Sequence, residues 1–419
     1  MSHIHKDFSW LGAIPTHWQV LNLRQILTAC SEKNHPDMPL LSVVREKGVI
    51  VRNIDDKNHN YVPDDLSNYK LVKRGQFAVN KMKAWQGSYG VSQHDGIVSP
   101  AYFVFNINHD MNHDFFDKAI RSKIYVNYFG QASDGIRVGQ WDLSMKRLRD
   151  IPFCLPPREE QEQIVRFLDW KVSAIDKLIA TKEKQLSILK ELLQAKIEKQ
   201  LHAYPISNTL RLKQLGTFSK GGGFSRDNLV ETETYPAILY GDIYTQYEYK
   251  TSVIPHHIDG IAYSASRKIS KGDIVMAGTG ETKDDIGKSI LYMGNQSVAV
   301  GGDVIIFHPN AKNNAEYLLY QLYSQAALKH RYISSKGDII VHIYPTAIGN
   351  ILITLPCVHD QKKAVKRINA NIHRVNKTLH LLNEQISNLR ELKTRLISDA
   401  VTGKIDVRSI KLPNFAKEE

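Results

Sequence analysis

The sequence of 419 residues predicts an α+β protein with two globular domains separated by two long helices that form an antiparallel coiled coil. Three observations lead to this prediction. The chain repeats itself at a long period, each copy ends in a heptad run, and each globular part mixes short apolar strands with glycine-rich turns. The expected boundaries are 1–157 and 204–356 for the globular domains, 158–203 and 357–404 for the helices, and 405–419 for a tail.

The duplication is clearest where each globular domain gives way to its helix. Leu155–Gln161 (LPPREEQ) reappears as Leu355–Gln361 (LPCVHDQ), a shift of 200 residues. Near the start of each copy, Leu21–Ile26 (LNLRQI) resembles Leu210–Leu215 (LRLKQL). This period is several times longer than a solenoid repeat, so the duplicated unit is a whole domain with its helix.

Heptad spacing predicts the two long helices and their pairing. The seam of the first helix consists of Leu168, Val172, Ile175, Ile179, Leu186, Leu189 and Leu193, with Lys182 in the one missing position. The seam of the second consists of Ile368, Ile372, Val375, Leu379, Leu382, Ile386 and Leu389. An apolar stripe of this length needs a partner helix, and the simplest partner is the duplicate in the same chain. Taken alone, the heptads would also fit a structural or oligomerising coiled coil.

Composition suggests a cytoplasmic protein with a polyanionic partner. The net charge is +12 and the pI about 9.3. Half of that excess lies in 358–404, however, so charge alone does not establish DNA binding. The three cysteines form no CxxC pair, and we expect neither a disulfide framework nor a zinc site. We find no apolar run of the ~18 residues that a membrane span requires and no signal-peptide pattern.

Two glycine-rich stretches imitate nucleotide-binding motifs. Gly287–Ser289 (GKS) ends like a phosphate-binding loop, but Thr282 stands where that motif needs glycine. Ala277–Glu281 (AGTGE) resembles a methyl-donor or dinucleotide turn, yet no following βαβ unit supports it. We interpret both as ordinary turns.

Two other groups imitate metal sites. Asp273, Glu281 and Lys283 resemble the carboxylate and lysine set of a metal-dependent nuclease. His109 and His113 have helical ligand spacing but no second pair nearby. Acidic residues beside turns are common, which is the better interpretation of the first group, and an exposed polar loop is the better interpretation of the second. We predict no catalytic residue and no metal site in this chain.

Loops that combine cations, amides and aromatic rings fit a DNA-reading surface. Lysine and arginine neutralise phosphates, while amide and guanidinium groups form paired bonds with base edges. The first-domain candidates are Lys81, Lys83, Trp85, Gln86, Ser88, Tyr89, Arg137, Gln140, Lys146 and Arg147. The second-domain candidates are Lys220, Arg226, Thr279, Lys283, Lys288, Lys336, His342 and Tyr344. Any one of them could equally be a solvated surface residue.

Taken together, these features resemble the specificity subunit of type I restriction-modification systems. Each globular domain is followed by Leu-Pro-x-x-x-x-Gln and a heptad helix. Trp10–Trp18 (WLGAIPTHW) is similar to the usual N-terminal motif of that family, and Leu396–Arg408 (LISDAVTGKIDVR) is similar to its C-terminal signature. The resemblance covers nearly the whole chain. One departure is the second globular domain, which is nearly neutral.

The resemblance implies a non-catalytic DNA-binding subunit. Each target-recognition domain would read one half of a bipartite site in double-stranded DNA, and the helices would set the spacer and dock two methyltransferase (modification) subunits. Restriction/translocase subunits would be further partners. This chain would hold no cofactor, and S-adenosylmethionine, ATP and Mg²⁺ would act in the partners. The alternatives are a self-contained DNA methyltransferase or nuclease, and a coiled-coil adaptor that does not bind DNA.

Overall fold

The computed structural model describes residues 10, 13–52, 62–108, 111–135, 141–232 and 234–413. The chain divides into two compact units, Met1–Glu183 with Glu384–Glu419, and Lys184–Asn383. Each unit contains one globular domain and a part of each long helix. Among the described residues, no helix combines the length and the apolar character that a membrane span requires.

In the described part of the first unit, the globular domain contains ten short strands and four short helices. The strands are β1 (Gln19–Asn22), β2 (Leu27–Cys30), β3 (Leu41–Val44), β4 (Gly48–Val51), β5 (Lys70–Val72), β6 (Phe77–Asn80), β7 (Tyr89–Val91), β8 (Gly96–Val98), β9 (Tyr102–Ile107) and β10 (Pro152–Leu155). The helices are α1 (Leu23–Ile26), α2 (His113–Ile120), α3 (Lys123–Ala132) and α4 (Met145–Arg149), with a 3₁₀ helix at Lys81–Gln86. The helix α5 (Arg158–Leu201) follows β10.

Antiparallel pairing and an aromatic core hold this domain together. A four-stranded sheet has the order β2-β9-β6-β7, and the pairs β3-β4, β5-β8 and β1-β10 surround it. Phe77 packs edge-to-face on Phe116, with ring centroids 5.2 Å apart, and Phe116 lies 5.1 Å from Phe153. All three rings are fully buried. The sheet therefore turns one face onto α2 and β10, as alternating strand residues require.

The two terminal motifs share this core. Trp18, Val401 at the end of α11 and Val407 just beyond it belong to one buried cluster. Gly403 adopts a φ of +77°, and a side chain at that position would clash with Pro15. Only glycine fits such a turn without strain. The motifs at 10–18 and 396–408 thus pack against each other inside the first unit.

The globular domain of the second unit has the same plan with an additional sheet. Its strands are β11 (Asn208–Arg211), β12 (Gly216–Lys220), β13 (Leu229–Val230), β14 (Tyr235–Ile238), β15 (Lys250–Thr251), β16 (His256–Ile258), β17 (Arg267–Ile269), β18 (Ile274–Ala277), β19 (Thr279–Gly280), β20 (Ser289–Tyr292), β21 (Val298–Val300), β22 (Val304–Pro309), β23 (Val341–His342) and β24 (Leu352–Leu355). Its helices are α6 (Tyr240–Thr245), α7 (Gly260–Ala265), α8 (Ala315–Gln321), α9 (Gln325–Ser334) and α10 (Pro345–Ile348), with 3₁₀ helices at Leu212–Gln214 and Arg226–Asn228. The helix α11 (Val358–Val401) follows β24.

Two five-stranded sheets organise this second domain. Their orders are β12-β22-β18-β20-β15 and β13-β16-β14-β21-β17, and β11-β24 and β19-β23 form separate pairs. The β14-β21 and β15-β20 pairs are parallel, and the other pairs are antiparallel. Every residue of β18 and of β20 is buried, so the first of these sheets is covered on both faces.

The long helices α5 and α11 each run for 44 residues and are antiparallel within the first unit. Lys393 Nζ lies 2.8 Å from both carboxylate oxygens of Asp176, and Lys182 Nζ donates to Gln385 Oε1 at 2.7 Å. The partner's number falls as the number on α5 rises, which fixes the direction. The predicted fold class is therefore confirmed.

The predicted seam is the buried side of each helix. The most buried positions, at 9% exposure or less, are Leu168, Ile175, Leu193, Ile368, Val375, Leu382 and Ile386. The half-buried positions are Val172, Ile179, Leu186, Leu189, Ile372, Leu379 and Leu389. The two lysines in the seam register, Lys182 and Lys393, extend to the polar partners given above, so neither ammonium group is left unpaired.

Candidate nucleic-acid interface

In the second domain, backbone hydrogen bonds bring three separate loops to one end of the β12-β22-β18 sheet. Gly221 N donates to Val304 O at 2.9 Å, next to the carboxyl end of β12. Gly278 N donates to Asp303 O at 2.8 Å, next to the carboxyl end of β18. The loops that begin at Lys220 and at Gly278 therefore emerge side by side, with the start of β22 between them.

The third loop joins this surface through β19 and β23. Thr279 pairs with His342, and Thr279 Oγ1 lies 3.1 Å from His342 Nδ1. Lys336 and His342 exchange two backbone hydrogen bonds of 2.9 and 2.8 Å, which close the loop between them. Lys283 Nζ reaches Asp338 in that loop at 3.3 Å. The structure therefore brings Thr279 and His342, two candidates 63 residues apart in sequence, into direct contact.

The cations of this surface differ in solvent exposure and in the partners that they contact. Lys220, Arg226 and Lys336 are exposed, as is the ring of Tyr344. Lys283 is paired with the almost fully exposed Asp338, an interaction that solvent weakens strongly. Lys288 instead points inward and donates to the carbonyl oxygens of Tyr247 and Tyr244, at 2.8 and 3.1 Å. Burial lowers the pKa of Lys288. Lys288 and the buried Thr279 therefore support the loops from within.

In the first domain, the 3₁₀ helix Lys81–Gln86 carries the main candidate loop. The Asn80 side chain caps it by accepting from Met82 N at 3.2 Å, and Gly87 ends it with a φ of +87°. Lys81 Nζ forms an ion pair of 3.0 Å with Asp142, and the rings of Trp85 and Trp141 lie 5.3 Å apart. The loop is thus held in place from both sides.

The remaining first-domain candidates fall into three groups. Lys83 and Lys146 are exposed, as is Arg147, which forms an ion pair of 2.7 Å with Asp134, and Gln86 is half-buried. Ser88 and Tyr89 are buried; Tyr89 has no exposed surface, and its ring lies 4.2 Å from that of Phe129. Burial raises the pKa of Tyr89 well above its ordinary value. We therefore reassign Ser88 and Tyr89 from surface contacts to the core. Arg137 and Gln140 lie outside the described residues.

In both domains the same pattern of backbone hydrogen bonds holds the candidate loops, and we call this pattern the backbone frame. Leu143 N donates to Lys81 O at 3.0 Å, and Ile343 N donates to Gly278 O at 2.9 Å. Asp134 and Asp142 exchange the same two backbone bonds as Lys336 and His342. The frame is repeated, whereas the side chains on it differ. Comparing the two halves of the sequence misses this equivalence, because the residue-number offset between the two copies varies along the loops.

Local contacts account for the residues that resemble catalytic or metal-binding motifs in the sequence. Lys288 is occupied inside the domain, and Ser289 is buried with its Oγ donating to Gly287 O at 2.8 Å, so the GKS stretch does not form a phosphate cradle. Asp273 accepts from Ser270 N at 2.8 Å and contacts His308 at 2.7 Å. In the part of the chain that is described, no cluster of three or more His, Cys, Asp or Glu could hold a metal ion. His109 lies outside that part, and His113 begins α2.

One arrangement in the second domain has the connectivity of a hydrolytic triad. Ser219 Oγ lies 3.1 Å from His308 Nε2, and His308 Nδ1 lies 2.7 Å from Asp273. Thr217 pairs with His308 as Thr28 pairs with Asn106 in the first domain. There Gln76 Nε2 donates to Asn106 Oδ1 at 2.7 Å and to Cys30 Sγ at 3.7 Å.

The first-domain network joins the same three strands without an ionisable base. We therefore interpret both networks as polar links between strands. A hydrolytic role would need a base at the middle position, and Asn106 in the first domain cannot act as one.

Comparison with known proteins agrees with this geometry. Residues 207–388 match the family model of the type I restriction modification DNA specificity domain. A curated relative, the putative type I restriction enzyme MjaX specificity subunit of Methanocaldococcus jannaschii, is 22% identical over 215 residues. That match covers 45% of this chain and 46% of the relative, so the chain spans about half the length of the curated relative it matches.

Solved structures show how far the fold is shared. A chain from a structure described as the "structural basis underlying complex assembly and conformational transition of the type I R-M system" aligns with a TM-score of 0.69 at 14% identity, covering 94% of this chain and 100% of that one. The HsdS subunit from Thermoanaerobacter tengcongensis aligns over 94% of this chain and 98% of its own, at 15% identity and a TM-score of 0.48. Residues 207–388 are thus similar to the type I restriction modification DNA specificity domain, and the fold is shared with a type I R-M structure over most of the chain.

Proposed function

We propose that this chain is the DNA sequence-specificity subunit of a type I restriction-modification enzyme. Each globular domain reads one half of a bipartite site in double-stranded DNA. The chain itself performs no chemistry, and methylation, translocation and cleavage belong to its partner subunits.

The observation that carries the proposal is the common backbone frame with different side chains on it. In both domains the loop that follows β6 or β18 accepts a backbone hydrogen bond from a second loop. Two backbone hydrogen bonds close that second loop, between Asp134 and Asp142 in the first domain and between Lys336 and His342 in the second. Sequence readout requires such a combination, because the frame sets the approach to the groove while exposed side chains meet the base edges. Two frames with different side chains fit a site with two different halves.

The long helices supply the second part of the proposal. At about 1.5 Å per residue, a helix of 44 residues is roughly 66 Å long. A stiff helical pair of that length would fix the distance between two half-sites, so that the bases between them need not be read. We assign to the same helices the docking of two methyltransferase subunits, and to further partners the restriction and translocase activities. S-adenosylmethionine, ATP and Mg²⁺ would be bound by those partners.

Binding to the site should depend on both half-sites and on their spacing. Full-length protein, with any subunits that co-purify, would be used to select duplexes from a random pool and would then be titrated with altered versions. Changing one base pair in a half-site should weaken binding by about 1–3 kcal/mol. Adding one base pair to the spacer should reduce binding to the non-specific level, since it both shifts and rotates one half-site. Binding that ignores sequence and spacing would contradict the proposal, and a lack of any DNA binding would favour an adaptor without DNA binding.

Replacing Lys220 and Arg226 together with glutamine should weaken DNA binding without changing the preferred sequence. Both side chains are exposed, Lys220 at the end of β12 and Arg226 at the start of the following 3₁₀ helix, where they can neutralise phosphates. Affinity should fall about tenfold at moderate salt, and the slope of log K against log salt should fall by about 1–2. The control is Lys312→Gln, an exposed lysine beyond the opposite end of β22. An unchanged salt slope in the double variant would show that these cations do not contact phosphates.

An assay for activity separates this proposal from a self-contained enzyme. The purified chain would be incubated with duplex DNA and S-adenosylmethionine, and separately with Mg²⁺. We expect no methyl transfer and no cleavage until the partner subunits are added. Turnover by the chain alone would overturn the proposal.

A further inference from the structure

The loop closed by Lys336 and His342 ends in two exposed isoleucines. Ile339 is 87% exposed and Ile340 is 57% exposed. A single exposed apolar residue is ordinary, but two adjacent ones at the tip of a bonded loop suggest a contact surface. The ring of Tyr344, just beyond the loop, is exposed as well.

This loop is held in one conformation. Gly337 has a φ of +100°, and a side chain there would clash with the carbonyl oxygen of Ile340, so the turn requires glycine. On the other side of the tip, Val341 is buried and pairs with Gly280. Isoleucine adds little freedom of its own, because branching at Cβ restricts χ1. The tip is therefore a short apolar projection on a fixed base.

The projection lies among the groups expected to contact phosphates. Asp338 within the loop forms an ion pair with Lys283, and Lys336 at the base of the loop is exposed. Ile343, which follows the loop, donates a backbone hydrogen bond to Gly278 of the frame. Proteins that kink DNA combine such elements, with cations on the backbone and an apolar side chain inserted at a base step. The first domain closes a loop at the same place by the Asp134–Asp142 bridge, so the loop belongs to the frame and is not a local irregularity.

We propose that Ile339 and Ile340 form an apolar wedge that enters duplex DNA at a base step of the second half-site and partly unstacks it. The wedge would add selectivity through the deformability of that step, since pyrimidine–purine steps unstack most easily. This inference rests on the proposed function, because it presumes that the second domain reads DNA.

The test compares the double variant Ile339→Ser, Ile340→Ser with Ile261→Ser. Ile261 is an equally exposed isoleucine, at 87%, on α7 of the same domain. Duplexes selected by the full-length wild-type protein would be labelled with 2-aminopurine at each step of the second half-site. Wild-type protein should raise the fluorescence at one step, and the double variant should not. Affinity for the selected duplex should fall about 10- to 100-fold in the double variant and change less than about twofold in the control.

The conservative double variant, Ile339→Val with Ile340→Val, should keep the fluorescence signal because it keeps an apolar tip. Melting temperatures of all variants should match that of the wild type, since the altered side chains are exposed. Unchanged affinity in the serine variant, or a fluorescence rise that persists in it, would overturn the wedge. Lost affinity without any unstacking signal in the wild type would also overturn it, in favour of a plain groove contact. If the wild-type protein selects no duplex at all, the proposed function itself fails.

Discussion

The variant Ile386→Asp is expected to lower the free energy of unfolding by about 3–5 kcal/mol, because it places a carboxylate in the buried seam of α11 without a partner. Leu186→Asp, at a half-buried seam position of α5, should cost less, about 1–3 kcal/mol. Denaturation in urea, followed by circular dichroism at 222 nm, measures both effects.

Matched controls exist on the outer faces of the same helices. Leu392 on α11 and Leu178 on α5 are each 51% exposed, so Leu392→Asp and Leu178→Asp introduce the same charge without burying it. Both should change the free energy of unfolding by less than about 0.5 kcal/mol. If Ile386→Asp unfolded at the same urea concentration as Leu392→Asp, the seam would not be the packing surface. Retained spacer preference in a variant with both seam charges would likewise contradict the role proposed for the helices.

Periodicity explains why the helices were predictable from sequence. A seam residue recurs every three or four positions over some forty residues, and every predicted seam residue, such as Ile368 or Leu382, is buried or half-buried in the structure. The duplication also holds at the level of contacts: Asn112 N bonds to Gln161, and Asn314 N bonds to Gln361. Long regular elements carry their own signal, since each turn repeats the same environment.

The second sheet of the second domain could not be predicted in this way. Its strands are as short as Leu229–Val230, which gains its regular structure only by pairing with Ile258 and His257. Two residues cannot display an alternation. Such strands are defined by partners distant in sequence, and no local pattern encodes those partners.

Which of the candidate side chains face solvent could be predicted only in part. Exposed cations such as Lys220 and Lys336 fit the expectation, whereas Tyr89 and Lys288 turn inward. A tyrosine next to a basic loop looks the same in sequence whether its ring meets solvent or packs on Phe129. The exposure of Ile339 and Ile340 could not be predicted from the sequence either, because a hydrophobic pair in sequence usually indicates a core strand.

The repeated glutamine at the start of each long helix gives the second large prediction. Gln361 is buried; its Oε1 accepts from Asn314 N at 2.9 Å, and its Nε2 donates to Pro356 O at 3.0 Å and to Asn313 Oδ1 at 3.2 Å. In the first unit, Gln161 accepts from Asn112 N at 2.8 Å and donates to Pro156 O at 2.9 Å. One side chain thus ties the helix start, the Leu-Pro turn and the cap of α2 or α8 together.

Gln361→Leu should therefore lower the free energy of unfolding by about 2–5 kcal/mol. Leucine fills a similar volume but leaves the part-buried Asn314 N–H and the buried Pro356 carbonyl without these partners, each at a cost of about 1–3 kcal/mol. Gln161→Leu should have a similar effect in the first unit. The control is Gln185→Leu, an exposed glutamine on α5, which should be nearly neutral. Urea denaturation of the three variants measures the free energy of unfolding of each. Equal stability of Gln361→Leu and Gln185→Leu would mean that the glutamine is repeated for a reason other than its hydrogen bonds. A clear loss only in the two buried variants would explain why this one polar residue marks the start of both helices.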